Sequence, residues 1–306
     1  MATKSSSLFH EKFKSLYYPL RNSSFIYKYV LNFANVLKWF HLNRTQRNGN
    51  SLTHRKILDD LNVQGIAFTN LEELFPDKNY LKSMQEWISK NEVNLRTKQK
   101  KKFLLSYFGR EDNVVELDVS NPFFDFYLNE KIIFLVSSYL GYVPQLNYLT
   151  VEKTIPIEKN TESSHSQNWH RDPEERRTIK VFIYVNDVDD TNGPFVYVKK
   201  SQPSGKSIYS RFAPQKLPYG SYPDEHLLSS KVSHNDVVTA VGKAGTVIFC
   251  DTAGLHKGGL SFSGERVMAT AFYPSKKWSE PSLIAIPINF NETGISSVAL
   301  NILKRA

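Results

Sequence analysis

Two textures of apolar and polar positions divide the chain near Pro144. Before it, apolar residues recur at helical spacing. Residues 52–61 fit a helix, and the apolar run at 65–68 reads as a short buried strand. Pro76-Asp77 opens a helical stretch through Ile88. Asn121-Pro122 opens another, carrying Leu128, Ile132, Leu135 and Tyr139 to a stop at Gly141. After Pro144 the positions alternate. Residues 145–155 do so, and residues 178–186 do so strongly, with Ile179, Val181, Ile183 and Val185 on one face. The stretch 189–194 is a turn from which residues 195–198 begin a return strand. Residues 245–251 and 266–273 make two more strands, joined by the Gly-rich stretch 254–264. Short strands with turn signals, and no helices between them, predict a sandwich or jelly roll. Residues 199–243 are irregular and rich in Pro, Ser and Tyr, a length that in a compact domain marks function or disorder. No internal repeat is present.

Residues 24–42 stand apart. Lys28, Asn32, Asn35 and Lys38 recur at helical spacing and draw a polar stripe. Phe25, Ile26, Tyr29, Val30, Phe33, Leu37, Trp39 and Phe40 cover the remainder. The polar residues break the run short of the roughly 20 apolar residues a membrane span needs. No small-residue cleavage site follows, which argues against a secretory signal. Two readings stay open: a helix packed on the main domain, and a basic amphipathic helix lying in a membrane interface. The stretch 43–51, rich in Asn, Arg, Gly and Ser, reads as a linker.

Composition narrows the classes. Hydrophobic residues make up 41%, ordinary for a globular core. Cys250 is the only cysteine, which excludes an internal disulfide framework and a zinc site built on several thiolates. A reducing, cytoplasmic compartment fits, with surface contact to a membrane as its variant. The net charge of +9 is uneven, because the first 60 residues hold ten Lys/Arg against three acids. The basic run Arg96, Lys98, Lys100, Lys101 and Lys102 reads as a solvated helix end. It comes with no recognition motif, so nucleic acid is not an expected partner.

The chemistry concentrates at His170, Asp172 and His256. In an extended segment, residues two apart point the same way with Cα atoms about 6.6 Å apart, close enough for two ligands to meet one metal ion. His170-Arg171-Asp172 has that spacing. His256, just after a strand and among Gly254, Gly258 and Gly259, is the third candidate; glycines there let the backbone approach a cofactor closely. Two histidines and one carboxylate leave three positions open, the facial triad of iron(II) oxygenases that take a keto acid and O2. Arg266, ten residues further on, offers a fork suited to a carboxylate. His-x-Asp alone is a weak signal; its order before a strand, a turn and the distal His strengthens it. A serine nucleophile is unsupported, since no Gly-x-Ser-x-Gly elbow occurs.

Three separated motifs, Trp169-His170-Arg171-Asp172-Pro173, the strand and turn from Val181 to Val198 with Asn-Gly-Pro-Phe, and Phe249-Cys250-Asp251 through His256-Lys257-Gly258-Gly259, resemble the phytanoyl-CoA dioxygenase-like family over roughly residues 55–275. The resemblance implies a double-stranded β-helix (a cupin-like jelly roll, mainly β) with N-terminal helices packed against it. It implies iron(II) held by His170, Asp172 and His256, with 2-oxoglutarate held by Arg266 and O2 as the other co-substrate. Lys180 is the reserve for the 2-oxoglutarate carboxylate, because some members of the wider superfamily use a strand lysine. Gln167 and Trp169 are candidate pocket residues, with a packed strand edge as the plain alternative. The intact Asp172 disfavours the halogenase variants. The expected domains are a basic amphipathic extension at 1–50 and an oxygenase domain at 51–306, its jelly-roll core at about 144–275. The expected activity is a dioxygenase reaction on a small or carrier-linked metabolite, releasing succinate and CO2. A non-catalytic jelly-roll binding protein is the alternative. Seven Lys/Arg against three acids in 199–243, interleaved with Tyr209, Phe212, Tyr219 and Tyr222, suggest an anionic substrate.

Overall fold

The computed structural model describes residues 32–45, 51–98, 101–108, 114–158, 165–172, 174–175, 177–204, 232–276 and 281–303. Helix α1 (Phe33–Thr45) precedes α2 (Leu52–Gln64), β1 (Ile66–Asn70), the single turn α3 (Leu71–Leu74) and α4 (Tyr80–Lys90). Strands β2 (Arg96–Lys98) and β3 (Lys101–Phe108), then β4 (Val115–Glu116), lead to α5 (Pro122–Tyr127) and α6 (Glu130–Leu140). Seven strands follow: β5 (Tyr148–Thr154), β6 (Ile179–Tyr184), β7 (Phe195–Val198), β8 (Val237–Ala240), β9 (Thr246–Asp251), β10 (His256–Gly258) and β11 (Arg266–Tyr273). The short β12 (Ile284–Ala285) and α7 (Ser297–Leu303) end the described chain.

A seven-stranded sheet in the order β1-β9-β6-β11-β5-β3-β2 lies opposite a three-stranded sheet, β10-β7-β8. This is the jelly roll, mainly β with helices, and the alternation along the strands assigns its layers. Ile179, Val181, Ile183 and Val185 join Val247, Phe249, Ala269 and Ala271 in the large core beneath α2, α5 and α6. The alternate residues Phe182 and Tyr184 join Phe195, Tyr197, Ile248 and Cys250 in a second core between the sheets. Both faces of the large sheet are covered, so β6 is buried throughout. The register sets Lys180 opposite Phe272 and Arg266 opposite Thr154 on that inner side.

Several elements differ from the sequence reading. The helix expected from Asn121 to Gly141 is two, because the Asn129 side chain caps a new helix by accepting the Lys131 N–H. In the basic run, Arg96 and Lys98 belong to β2, and Lys101 and Lys102 to β3, rather than to a helix end, and Lys100 lies outside the described residues. Its chain leads into Tyr107 and Phe108, whose rings pack on Trp87, and β3 pairs with β5. Strand β7 does not return beside β6. It crosses to the small sheet between β10 and β8, so the turn at 189–194 joins two sheets. Part of the irregular segment 199–243 is β8; residues 205–231 lie outside the described residues.

The expected polar stripe is divided: Lys38 is exposed, while its two asparagines are buried. Asn32 and Asn35 are buried with Val36 and Leu42, the Asn35 carbonyl accepts the Val143 N–H, and Trp39 packs on Phe134. Phe33, Leu37 and Phe40 are 55%, 52% and 53% exposed on the outer face. Lys28 lies outside the described residues. No described helix is long and apolar enough to cross a membrane.

Candidate metal centre

The segment carrying His170 and Asp172 runs antiparallel to the one carrying His256. His170 and His256 exchange both backbone hydrogen bonds at 2.9 Å, and the Asp172 N–H donates to the Thr252 carbonyl at 2.8 Å. A hydrogen-bonded antiparallel pair faces its side chains the same way, so the imidazoles meet with ring centres 4.1 Å apart. Asp172, two residues on, returns to that face. One ligand atom from each of the three residues lies within 4.8 Å of the others. His170 Nε2 is 3.9 Å from Asp172 Oδ1, and His256 Nε2 is 3.8 Å from Oδ2. Adjacent donors on an octahedral ion at about 2.1 Å stand about 3 Å apart, so modest side-chain movement closes the set on one metal.

Backbone carbonyls fix the imidazoles for that use. His170 Nδ1 lies 2.8 Å from the Asn168 carbonyl, and His256 Nδ1 lies 3.0 Å from the Gly254 carbonyl. A carbonyl can only accept, so Nδ1 carries the proton and each Nε2 presents a lone pair. Burial, then the neighbouring His170, lowers the His256 pKa to about 3, keeping it neutral and ligand-competent. Burial pushes the Asp172 carboxyl upward, but the Lys180 ammonium and the two imidazoles outweigh it and hold the carboxyl well below the usual range. The donor set of two neutral imidazoles and one carboxylate suits iron(II).

Lys180 and Arg266 occupy separate places. The Lys180 Nζ sits 2.5 Å from Asp172 Oδ2, with the Phe272 and Tyr148 rings 5.6 and 6.0 Å away. Arg266 is paired six residues further along β11, about 20 Å of strand. Its buried guanidinium donates to the Gly193 carbonyl and, at 3.2 Å, to Thr154 Oγ1. Burial lowers its pKa, while Tyr184 and Glu152 act in the opposite sense. Gly193 lies two residues before Phe195, whose ring is 5.5 Å from that of His256.

The remaining sequence candidates have quieter surroundings. Gln167 is buried in the short turn before the ligand segment. Trp169 packs with Val198, Val232 and Leu255, with the Lys257 ammonium 5.0 Å from its ring. Gly254 and Gly259 admit other protein groups: a Cβ on Gly254 would stand 2.1 Å from the Tyr197 hydroxyl, and one on Gly259 2.5 Å from the Pro194 carbonyl.

The supports of the site were absent from the sequence reading. Asp251 Oδ1 accepts the N–H groups of Thr178 and Ala253 at 3.0 and 3.1 Å, and Tyr139 donates to Oδ2 at 2.5 Å. This anchors the loop leading to His256. Arg171, between His170 and Asp172, points to the other face and donates to the carbonyls of Ala253 and Ser201. The Ser201 hydroxyl accepts the Leu255 N–H at 2.7 Å. The clue for Asp251 was an acid ending a strand before a Gly-rich loop, a place where a carboxylate caps backbone N–H groups.

The model of the phytanoyl-CoA dioxygenase family matches residues 68–266. Among curated proteins none matches the sequence. Among solved structures, the non-haem α-ketoglutarate-dependent epimerase SnoN from nogalamycin biosynthesis is similar with a TM-score of 0.51 and 13% identity, over 73% of this chain and 83% of that one. EctD from S. alaskensis with bound Fe has a TM-score of 0.49 and 14% identity, over 81% of this chain and 86% of that one. HygX from Streptomyces hygroscopicus with nickel, 2-oxoglutarate and hygromycin B bound has a TM-score of 0.47 and 12% identity, over 72% and 87%. The SnoN likeness establishes a shared fold.

Proposed function

The chain belongs to the phytanoyl-CoA dioxygenase family and is an iron(II)- and 2-oxoglutarate-dependent oxygenase, and from that premise we propose that it oxidises a small or carrier-linked anionic metabolite with iron held by His170, Asp172 and His256. The observation that supports this most is the meeting of three ligand atoms within 4.8 Å, with each imidazole Nδ1 beside a backbone carbonyl. Iron(II), when bound with 2-oxoglutarate and O2, would supply substrate oxidation in which the keto acid becomes succinate and CO2 and one oxygen atom enters succinate; hydroxylation, desaturation and epimerisation of the substrate all fit that chemistry.

The protein contributes binding, orientation and exclusion of water. Arg266 is our choice for the distal carboxylate of 2-oxoglutarate, supported by its buried guanidinium on the inner face with Met268 and Thr270. Residues 51–306 form the catalytic unit in this reading, and the extension 1–50 docks through the inner face of α1. The anionic substrate rests on the excess of basic residues in 199–243. Stimulated succinate release across a panel of acidic, phosphorylated and acyl-thioester metabolites tests it. The best substrate should be an anion whose kcat/KM falls with added salt, because exposed charges are screened. A neutral best substrate indifferent to salt rejects the anionic reading.

The outer face of α1 supports peripheral contact with an anionic membrane. Phe33, Leu37 and Phe40 project there, Lys38, His41 and Arg44 are on the same helix, and the helix carries no acid. Phosphatidylserine vesicles should sediment the protein, while phosphatidylcholine vesicles or a Phe33→Ser/Leu37→Ser/Phe40→Ser variant should not. Equal behaviour on both vesicles discards the contact.

A further inference from the structure

Among the described residues, the inner side of the large sheet carries a small, balanced set of charges. Lys180 stands against Asp172 at 2.5 Å. Glu152, opposite Met268 in the β5–β11 ladder, acts on Arg266 as a neighbouring negative charge. Two cations therefore face two carboxylates. Iron(II) brings two positive charges and 2-oxoglutarate two negative ones. Their joint arrival preserves the balance; arrival of the metal alone leaves two positive charges beside a buried ammonium.

Lys180 is placed to feel that excess. Lys180 and Asp172 are both buried, with side chains 9% exposed. An ion about 2.1 Å from an Asp172 oxygen would lie only about 4–5 Å from an ammonium on the same carboxylate, where repulsion between like charges is large at protein dielectric. The phenyl ring of Phe272 and the ring of Tyr148 flank the ammonium, so it cannot be treated as an exposed, screened charge.

We propose that Lys180 is a positioning residue and resident counter-cation of the metal carboxylate: it holds Asp172 toward the ligand position and opposes the metal's charge, so that metal binds tightly only together with the dianionic co-substrate. The inference rests on the metal assignment of the preceding section. By linkage, whatever 2-oxoglutarate does for metal affinity, the metal does for 2-oxoglutarate affinity. Lys180 thus makes loading a joint event.

The test is calorimetric titration of manganese(II), which does not require turnover, into chelator-stripped full-length protein with and without 2-oxoglutarate. Wild type, Lys180→Met, Lys180→Gln, Lys180→Arg and His256→Ala are compared, each first shown to unfold cooperatively. Lys180→Met should bind manganese alone at least about tenfold more tightly than wild type, and 2-oxoglutarate should improve that binding less than it does in wild type. Lys180→Gln, which keeps a donor to Asp172 without charge, should follow Lys180→Met, and Lys180→Arg should follow wild type. A residue with only a structural role would weaken metal binding when removed. Unchanged or weaker manganese binding in both neutral variants, beside a His256→Ala protein that has lost it, overturns the role of Lys180 alone. Undiminished binding in His256→Ala, or none in wild type even with 2-oxoglutarate present, overturns the metal assignment itself.

Discussion

Replacing Arg266 with Ala separates co-substrate binding from metal binding. The guanidinium is buried and already donates to the Gly193 carbonyl and Thr154 Oγ1, so its place is set before any ligand arrives. A fork on a carboxylate makes two charge-assisted hydrogen bonds, each about 1.5 kcal/mol at the low end of the range. Losing about 3 kcal/mol corresponds to roughly 150-fold in affinity. Arg266→Ala should therefore raise the 2-oxoglutarate KM for succinate formation by about two orders of magnitude. Manganese affinity without co-substrate should move little, since Arg266 does not touch the triad. Arg266→Lys keeps the charge without the fork and should fall between. The assay is succinate release against 2-oxoglutarate concentration, with calorimetry of manganese as the control. A KM within about threefold of wild type in Arg266→Ala refutes the reasoning. If Lys180→Met abolished 2-oxoglutarate binding while Arg266→Ala spared it, the two cations would exchange roles.

Asp251→Ala strips acceptors from two buried N–H groups and the Tyr139 hydroxyl, at about 3 kcal/mol in total. The Tm should fall by roughly 6–12 °C, at about 2–4 °C per kcal/mol for a chain of this size, and manganese binding should weaken as the His256 loop loosens; a Tm within about 2 °C of wild type contradicts this. His54 is buried against Phe134, and burial, then Lys131, lowers its pKa from 6.5 to about 4. The unfolded chain then binds the proton first between those values, so stability falls as pH drops from about 6.5 toward 4. Between pH 7 and 5 His54 should cost about 2 kcal/mol by this linkage, and urea unfolding of His54→Leu should show a loss smaller by that amount; an identical pH dependence contradicts the shift.

The jelly roll was legible where one physical signal dominates. Strand β6 announced itself because Ile179, Val181 and Ile183 alternate and face the helical layer. The spacing of His170 and Asp172 was legible because two residues apart on an extended chain means one face. The failures share another cause: the deciding contact is distant in sequence. A turn signal at 189–194 says that the chain reverses, not that β7 changes sheets. Lys101 and Lys102, read as a helix end, open strand β3, which pairing with β5 holds in place. Asn32 and Asn35 belong to a polar stripe in the sequence, yet they are buried with the core while Phe33, Leu37 and Phe40 face outward. Lys180 was visible as a strand cation, but only the fold brings it against Asp172, eight residues earlier in the sequence. Asp251 likewise gains its meaning from Thr178 and Tyr139, which the fold delivers.

The central claim is that His170, Asp172 and His256 form the iron(II) site of a 2-oxoglutarate oxygenase. The most direct measurement is succinate formed from 2-oxoglutarate under air with iron(II) and no added substrate, in wild type and in His256→Ala. The account predicts slow, iron-dependent succinate release by wild type that is abolished in a folded His256→Ala protein. Undiminished release by His256→Ala, or none from wild type with iron demonstrably bound, would contradict it.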